Sequence, residues 1–591
     1  MPIGFTLLGF ISFLLAENFS FTKSTIAIAG IVGALPVSLL FNQHHRQTLS
    51  QEVRNSLAHS IAVFKNRYCF ARLIFFIVIT LAVCAVFERA LFVTNAGILT
   101  GIDHNLGDLP LHIGIIESFV KGHNFPPQHI EFAGARLTYP FIADLVAASL
   151  VMVGASLRQA FLLENLALAL AFVSLLYHWA FVFTRHRLAA CATILIILLS
   201  GGLGWLSLFH EAWTTERGLL PLLMNLPHDY TIAPGLRWGN LMTTMLVTQR
   251  SLLLGMPLFL IIWTLWIESL WHQQPGSQCG RPAMGSHPAC DERAITMLAA
   301  GILTGCLPLV HTYTFLIAMG VGSCLSLFYM KNWRGWLLFF GSALLLALPQ
   351  IWWLSIGNSM QSGKYFGLHF GWDSRGENIV LFWLYNTGLL IPLSLLAFFW
   401  RGRRPLLTRD QNRIFLAAAL CFVISNLFRF APWIWDNIKI MVYWHIASAG
   451  LVSLCLVRIF DSRHKVLIAT SLLLFATLVF SGSLDVWRVI SRATTQVVFD
   501  DASIKAARMI EESTPNRALI LNEPDYNHPV MLTGRRSLMG YPGHLLSYGI
   551  DYRTRADDIK EIFQGGTQAT SLLDHYQIDY VLIGPRENEL L

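Results

Sequence analysis

The residues best suited to acid–base chemistry lie between positions 101 and 141, in a segment rich in Asp, His, Gly and Pro. Asp108 and His112 are four residues apart, so a helix beginning near Leu109 would place both side chains on one face. Ionisable groups directly after an apolar segment indicate a polar site at a membrane surface. Two plainer interpretations stay open: Asp108 is the N-cap of that helix, and His112 is a histidine satisfied at the interface.

A second group of polar residues lies in the sequence RFAPWIWDNIKIMVYWH. Asp436 and Lys439 are three residues apart, and a charged pair entering an apolar segment needs a partner or a polar ligand. The neighbouring aromatic residues, including Trp435, are also typical of an interfacial aromatic belt. Arg250 in TQRS and His311 in PLVHTYTF reach the ends of two further apolar segments, where snorkelling or local pairing is the alternative explanation.

The composition shows what kind of protein must position these residues. Of 591 residues, 54% are hydrophobic and only 13% are charged, which is too apolar for a water-soluble protein of this length. The formal net charge is +7, but no basic run interleaved with stacking aromatic residues indicates nucleic-acid binding. The chain is therefore predicted to be a polytopic membrane protein.

The apolar runs predict about thirteen transmembrane helices. They lie near 1–17, 25–41, 73–93, 160–183, 189–208, 251–269, 294–311, 313–330, 335–355, 379–400, 413–430, 441–457 and 465–482.

Charge in the loops predicts the orientation. The segments 42–72 and 401–413 each carry five Lys or Arg residues and one acidic residue, which is typical of cytoplasmic loops. The stretch 140–154 has a short apolar core interrupted by Asp144, so it is interpreted as an interfacial or re-entrant helix. The N-terminus is then cytoplasmic, and the long loops and the tail lie outside.

The predicted spans and the change in polarity divide the chain into three regions. Residues 1–72 hold two extra spans and a basic cytoplasmic loop, and residues 73–482 form the main membrane domain, with a first outer loop at 94–159. Residues 483–591 are more polar and predict a small α/β domain outside the membrane. Within it, 501–513 has the pattern of a helix ending before Pro515, and 518–522 and 580–584 have the pattern of buried strands.

At these motifs the sequence resembles the GT-C superfamily of membrane glycosyltransferases, which includes protein mannosyltransferases and the catalytic subunit of oligosaccharyltransferase. The first outer loop has GDLPLHIGIIESF followed by NFPP and LTYPF, and SGGLGW, TQRS, PLVHTYTF and WIWDNIK stand at the outer ends of spans. The tail has GRRSLMGYPGHLLSYGIDYRTR before DYVLIGP, similar to tails of bacterial members. The resemblance covers about residues 73–591.

The resemblance implies inverting transfer of a sugar from a polyprenyl-phosphate carrier to an extracytoplasmic glycan, lipid or protein. A carboxylate of the first outer loop removes a proton from the acceptor, and a cation stabilises the departing phosphate. By position Asp108 matches that base and Asp103 is its rival, although Leu109 follows Asp108 where many members have a second acid.

The same resemblance implies roles for the remaining candidates. His112, Arg250, His311 and Lys439 are predicted to contact phosphate or sugar, with Trp435 and Asp436 on the sugar side. No metal-ligand spacing is evident in the sequence, so metal-independent action without a cofactor is expected. The expected location is a bacterial inner membrane, as a multi-pass protein of the cell envelope.

Two other classes of function compete with the enzyme. A transporter or flippase of a lipid-linked intermediate would have internal repeats and paired broken helices near mid-membrane, which the sequence does not indicate. A non-catalytic assembly subunit with the same fold remains open, since fold does not imply function.

Overall fold

The structure is a computed structural model that describes residues 1–63, 67–215, 218–271, 290–355, 366–400, 402, 405–462 and 464–590. The first half of the chain is helical apart from one hairpin. Its helices are α1 (Pro2–Phe19), α2 (Lys23–Ala34), α3 (Gln43–Val63), α4 (Arg67–Glu88), α5 (Asn105–Val120), α6 (Ile142–Met152), α7 (Leu157–Thr184), α8 (Arg187–Leu199), α9 (Trp205–Thr214), α10 (Leu219–Met224) and α11 (Arg250–Trp271).

The helices continue to the end of the membrane domain and recur in the tail. They are α12 (Cys290–Gly305), α13 (Leu307–Val310), α14 (Thr312–Phe328), α15 (Trp333–Ser355), α16 (Ile379–Thr387), α17 (Leu390–Phe398), α18 (Arg409–Leu427), α19 (Ile438–Phe460), α20 (Lys465–Ile490), α21 (Asp501–Ser513), α22 (Pro542–Ser547), α23 (Arg553–Phe563) and α24 (Ala569–Tyr576).

Nine helices of the described residues are long and apolar enough to cross a membrane, and α16 with α17, bent by 97°, makes a tenth broken span. Of the other predicted spans, 313–330 and 413–430 coincide with α14 and α18, whereas 189–208 is divided between α8, which ends at Leu199, and the start of α9. Of these, α8 and α14 are shorter apolar helices, whereas α18 has Arg409, Asp410 and Arg413 in its first two turns. The fold is therefore the expected α-helical polytopic membrane protein.

The stretch 140–154, interpreted from the sequence as an interfacial or re-entrant helix, forms α6, a helix of 11 residues. At 1.5 Å per residue such a helix is about 17 Å long, too short to cross the hydrocarbon core. It is not exposed to lipid, since it packs against α1, α5, α7 and α11. Asp144 in its first turn is only 1% exposed.

Two helices form the centre of the bundle. Both α11 and α19 are buried along nearly their whole length. α19 packs against α8, α17, α18 and α20, and α11 packs against α7 and α12. Because Arg250 begins α11 and Lys439 is the second residue of α19, two of the candidate cations lie on deeply buried helices.

The first outer loop and the tail share a sheet. Strand β1 (Phe92–Thr94) pairs with β2 (Gly97–Thr100), and β2 pairs with a strand of the tail, antiparallel throughout. The loop between α5 and α6 also packs into the tail: Gly540 N–H donates to the Glu131 carbonyl at 2.8 Å. The first outer loop is thus joined to the tail near its start, through β2, and in its middle, at Glu131.

The remaining strands are short. They are β3 (Gly367–Leu368), β4 (Phe428–Arg429), β5 (Gln496–Asp500, the partner of β2), β6 (Leu519–Leu521), β7 (Arg536–Ser537) and β8 (Tyr580–Val581).

The tail has the predicted α/β character, with β6 at the centre of a three-stranded parallel sheet, between β7 and β8. α21 spans Asp501–Ser513, the bounds predicted for this helix, and Asp500 is its N-cap. The predicted buried strands 518–522 and 580–584 appear as β6 and β8, three and two residues long. β6 is buried as predicted, but the burial predicted for β8 is wrong, because β8 pairs at the edge of the sheet and both of its residues are exposed.

We expect Gly97→Ala to destabilise the sheet that joins loop and tail. Gly97 has φ +127°, and a Cβ there would lie 2.0 Å from the carbonyl oxygen of Phe499. The backbone strain predicts a loss of about 1–3 kcal/mol in the free energy of unfolding, measured as a lower thermal midpoint of the lipid-reconstituted protein. Gly341→Ala in α15, where a Cβ meets nothing within 4 Å, is the control; equal midpoints for the two variants would contradict this account of the sheet.

Candidate functional site

A cavity of about 920 Å³ lies where the first outer loop, the membrane helices and the tail meet. Its walls carry Asp108 of α5, His311 before α14, and the segment from Trp433 to Lys439 that leads into α19. Helix α22 of the tail contributes His544 to the cavity wall, and Tyr548, which also lines the cavity, follows directly after that helix. The cavity therefore gathers residues from positions far apart in the chain.

Asp108 lies one turn inside α5 and not at its N-cap. The helix begins at Asn105, with His104 as the capping residue, three to four residues earlier than the sequence predicted. The carboxylate is thus not engaged with the helix N-terminus, and its Oδ2 accepts a hydrogen bond from Gln249 Nε2 at 2.9 Å. Asp108 is left facing the cavity.

The charge of Asp108 depends on its surroundings. Burial raises the pKa of this carboxyl above its usual range, while the positive charges of His112, Lys439 and His544 act to lower it. The net direction is upward. A carboxylate with a raised pKa is a stronger base than an ordinary one, provided that the neighbouring cations keep it ionised.

The opposite wall of the cavity holds an ion pair. Lys439 Nζ lies 3.0 Å from Asp436 Oδ1, and both side chains are about one tenth exposed. The ammonium also lies 5.9 Å from the centre of the Tyr313 ring. Among the described residues, the Asp436 carboxylate is thus the ion-pair partner of this ammonium.

Trp435 and His311 complete the polar wall. The Trp435 indole Nε1–H donates to the carbonyl of Arg237 at 2.9 Å, and its ring lies 5.4 Å from that of Trp433. His311 Nδ1 accepts a hydrogen bond from the Thr314 backbone N–H at 3.2 Å. That bond assigns the hydrogen of the neutral imidazole to Nε2, which makes Nε2 a donor.

Two of the predicted site residues, Arg250 and His112, lie behind the cavity wall in a buried network of ion pairs. Arg250 Nε donates to Asp144 Oδ1 at 2.8 Å, and its Nη2 donates to Glu164 Oε2 at 2.7 Å. His112 Nδ1 lies 2.9 Å from Asp144 Oδ2, and its Nε2 lies 3.2 Å from the Thr248 carbonyl. The side chains of Arg250, Asp144 and Glu164 are at most 1% exposed, so this network connects helices and does not line the cavity.

Asp103, the rival base, is engaged elsewhere. Its Oδ2 accepts from Arg488 Nη1 at 2.8 Å, and its Oδ1 accepts from Thr494 Oγ1 at 2.6 Å. Partial burial acts to raise the pKa of Asp103, but the hydrogen bonds from Thr494, Arg488 and Gln496 lower it below its usual range. Asp103 thus secures the junction between the end of α20 and the tail.

Sequence reasoning missed the contribution of the tail. The GYPGHLLSYG motif of the tail places Tyr541, His544 and Tyr548 in the cavity wall, although no tail residue was among the predicted site residues. Gln249 and Arg237 were missed as well. The signal that could have found Gln249 is its place beside Arg250 in the TQRS motif. No local pattern marks His544, because its partners are about 400 residues away.

Within the described ranges, no three His, Cys, Asp or Glu side chains are grouped closely enough to hold a metal ion.

Solved structures with the same arrangement of helices are known. The oligosaccharyltransferase of Archaeoglobus fulgidus in its apo form aligns with a TM-score of 0.51 and 12% identity, over 86% of this chain and 69% of that one. The chain has the GT-C fold. The same archaeal enzyme tethered to an acceptor peptide aligns with a TM-score of 0.50 and 13% identity, over 87% and 69% of the two chains.

A further GT-C structure, ArnT from Cupriavidus metallidurans in the apo state, aligns with a TM-score of 0.44 and 13% identity over 85% of this chain and 92% of that one. No family model matches the chain, and no curated protein matches it in sequence. The identities are low, so the likeness concerns the GT-C fold.

We expect Asp144→Ala to destabilise the protein more than any surface ion-pair variant. The change leaves the buried Arg250 guanidinium with one carboxylate fewer, and breaking a buried pair costs about 3–5 kcal/mol. The thermal midpoint of lipid-reconstituted protein measures the loss. Lys505→Ala, which removes an exposed pair with Asp501, is the control with an effect below about 1 kcal/mol; an equally small loss for Asp144→Ala would show that Arg250 does not depend on it.

Proposed function

We propose that this protein is a glycosyltransferase that moves a sugar from a polyprenyl-phosphate carrier to an acceptor outside the cytoplasm, with inversion at the anomeric carbon. The observation that carries the proposal is the cavity in which the Asp108 carboxylate and the Lys439 ammonium share one chamber within a GT-C fold. A base for an acceptor and a cation for a phosphate are the two groups that such a transfer needs.

In the proposed reaction Asp108 is the general base. Its carboxylate accepts the proton of an acceptor group while the acceptor attacks the anomeric carbon from the face opposite the phosphate. The bond from acceptor to carbon forms as the bond from carbon to phosphate oxygen breaks, and polyprenyl phosphate leaves with the electron pair. One displacement of this kind inverts the configuration. The Gln249 hydrogen bond at 2.9 Å would fix the carboxylate for this step.

Lys439 is the proposed phosphate ligand. Its ammonium would stabilise the charge that develops on the departing phosphate, and a charge-assisted hydrogen bond is the strong form of this contact. His311 would donate a second hydrogen bond through Nε2. Asp436 and Trp435 lie on the same wall and are proposed to contact the sugar, the carboxylate through hydroxyl groups and the indole through its face.

An apolar side of the cavity would admit the lipid carrier. Leu316 of α14 with Ile351 and Leu354 of α15 line it, and α15 has few residues buried by the rest of the protein. Leu316 and Ile351 are both exposed on the outside of the helical bundle, where lipid would cover them. A prenyl chain could therefore leave the cavity between these helices without crossing water.

The acceptor is proposed to be a glycan, a lipid or a protein, which approaches from outside the membrane past the tail. The archaeal oligosaccharyltransferase structure holds an acceptor peptide, which supports a large acceptor of this kind. We propose a bacterial inner membrane as the location, with the N-terminus cytoplasmic and the tail extracytoplasmic. His112 and Arg250, placed in the buried network, would act by supporting α5 and not by touching substrate.

Substitution of Asp108 tests the proposal directly. We expect Asp108→Asn to lower the transfer of labelled sugar from polyprenyl-phosphate donors about 10²–10⁴-fold, with donor binding retained, in lipid-reconstituted protein. Asp103→Asn is the companion variant and is expected to keep most of the transfer, because Asp103 bonds to Arg488 and Thr494. The reverse pattern would make Asp103 the base; donor movement across the bilayer without transfer would favour a flippase.

Substitution of Lys439 tests the phosphate contact. We expect Lys439→Met to raise the KM for the donor roughly ten- to hundredfold, since it removes a charged hydrogen bond worth about 1.5–3 kcal/mol. Donor titrations at fixed acceptor concentration measure the change. Lys560→Met, at an exposed position of α23, serves as the control; an unchanged KM in Lys439→Met would remove this residue from the phosphate site.

A further inference from the structure

The tail contributes a charged group beside Asp108. We propose that His544 of α22, held by Glu131 of the first outer loop, is a positioning residue that keeps the Asp108 carboxylate ionised and in place. This inference rests on the proposed role of Asp108 as the base. It gives the tail a part in the chemistry of the cavity beyond packing.

The geometry of His544 is set by two acceptors from the first outer loop. Its Nδ1 lies 3.0 Å and 3.1 Å from the two carboxylate oxygens of Glu131, whose side chain is fully buried. The backbone of Gly107, the residue before Asp108, also faces the imidazole and favours its positive form, raising the pKa of His544.

Glu131 also fixes the backbone that carries His544. Its carbonyl accepts from Gly540 N–H at 2.8 Å, and its Oε1 lies 3.4 Å from Tyr541 N. A Cβ on Gly540 would lie 2.7 Å from the Cβ of Glu131, so the two segments are in close contact. The imidazole is therefore held in one position relative to the first outer loop, and it cannot shift without breaking its contacts with both oxygens of one buried carboxylate.

The charges around His544 favour its positive form. Burial acts to lower the pKa of His544, but the Glu131 carboxylate, the Asp108 charge and the Gly107 backbone together raise it above its ordinary value. Among the other titratable groups that face it, His129 has its pKa lowered to about 4 by burial.

The remaining neighbours are two phenols. Burial raises the pKa of Tyr548 well above its usual range, and the Tyr541 ring lies 5.1 Å from the imidazole. Glu131 and Asp108 are therefore the two negative partners of this cation.

The positive charge of His544 acts to lower the pKa of Asp108. Burial alone would raise the pKa of Asp108, and the positive charge of His544 is one of the three that oppose the rise. A neutral residue at position 544 removes that opposition, so the carboxyl would stay protonated to a higher pH. A general base that is protonated cannot accept the acceptor's proton, so transfer would be lost at the acidic end of the pH range first.

Infrared titration of the full chain in lipid vesicles tests this directly, without any substrate. The carbonyl band of protonated Asp108 is assigned by its absence in Asp108→Asn. In His544→Gln we expect the midpoint of that band to move about one pH unit upward relative to the unmodified protein. An unchanged midpoint would overturn the proposal.

The variant Glu131→Gln tests the same coupling between His544 and Asp108 in a second way. Without the Glu131 charge, burial lowers the pKa of His544, so the midpoint of Asp108 should again rise. In the double variant the two shifts should not add, because both act through the same imidazolium. Additive shifts would contradict the arrangement proposed.

The tail contains a matched control pair. His528 Nε2 lies 2.9 Å from Glu587 Oε1, with side chains 3% and 2% exposed, so His528→Gln breaks a buried His–Glu pair away from the cavity. It should leave the Asp108 midpoint unchanged, although it disturbs the tail to a similar extent. A shift as large as that of His544→Gln would mean that general loosening of the tail causes both.

The pH profile of transfer separates this inference from the proposed function. We expect the acidic limb of kcat in His544→Gln to move upward with the infrared midpoint, with kcat approaching the unmodified value at high pH. A uniform loss at every pH would overturn the positioning role. A shifted midpoint in a protein that transfers no sugar would leave the charge coupling standing and remove the proposed transferase function.

Discussion

The buried guanidinium of Arg250 connects four helices, and the position of the cavity residue Asp108 depends on that connection. α6 and α7 each supply a carboxylate to it, and α5 joins through His112, which shares Asp144. In an apolar interior each of these charges would be costly alone. Because they occur together, the helices have one relative position that satisfies them all. Asp108, one turn before His112 on α5, is thereby directed into the cavity.

Much of the architecture could be predicted from the sequence, because in a membrane both buried and lipid-facing residues are apolar. The long apolar runs therefore became helices, and the length of 140–154 was enough to expect a helix that does not cross. The apolar run 379–400 did not predict the bend within it, since hydrophobicity alone does not show where a helix changes direction. A bend of 97° divides it, next to Gly388 with φ +58°, a glycine that could have been taken as a signal of the break.

The site was accessible to sequence reasoning only in part, and the reason is geometric. Asp108, His311, Trp435, Asp436 and Lys439 stand at outer ends of helices and line one cavity. His112 and Arg250 occupy similar positions in the sequence but turn inward, because carboxylates on α6 and α7 attract them. The face of a helix on which a cation lies depends on carboxylates of other helices. The spacing of residues within one segment does not reveal those partners. The tail's His544 lies 413 residues from Glu131 in the chain, beyond the reach of any local pattern.

The large distance in sequence between Glu131 and His544 affects the order in which the protein folds during its synthesis. The first outer loop is synthesised early, but its strand partner β5 and the segment carrying His544 follow about 400 residues later. Chains fold their domains as they are made, and contacts between remote segments form last because their loop closure is the most costly. The membrane helices can therefore insert and pack long before the tail completes the cavity wall. A nascent chain that does not yet include β5 and His544 would carry an open, unfinished chamber, and only a chain that includes both can enclose a ligand.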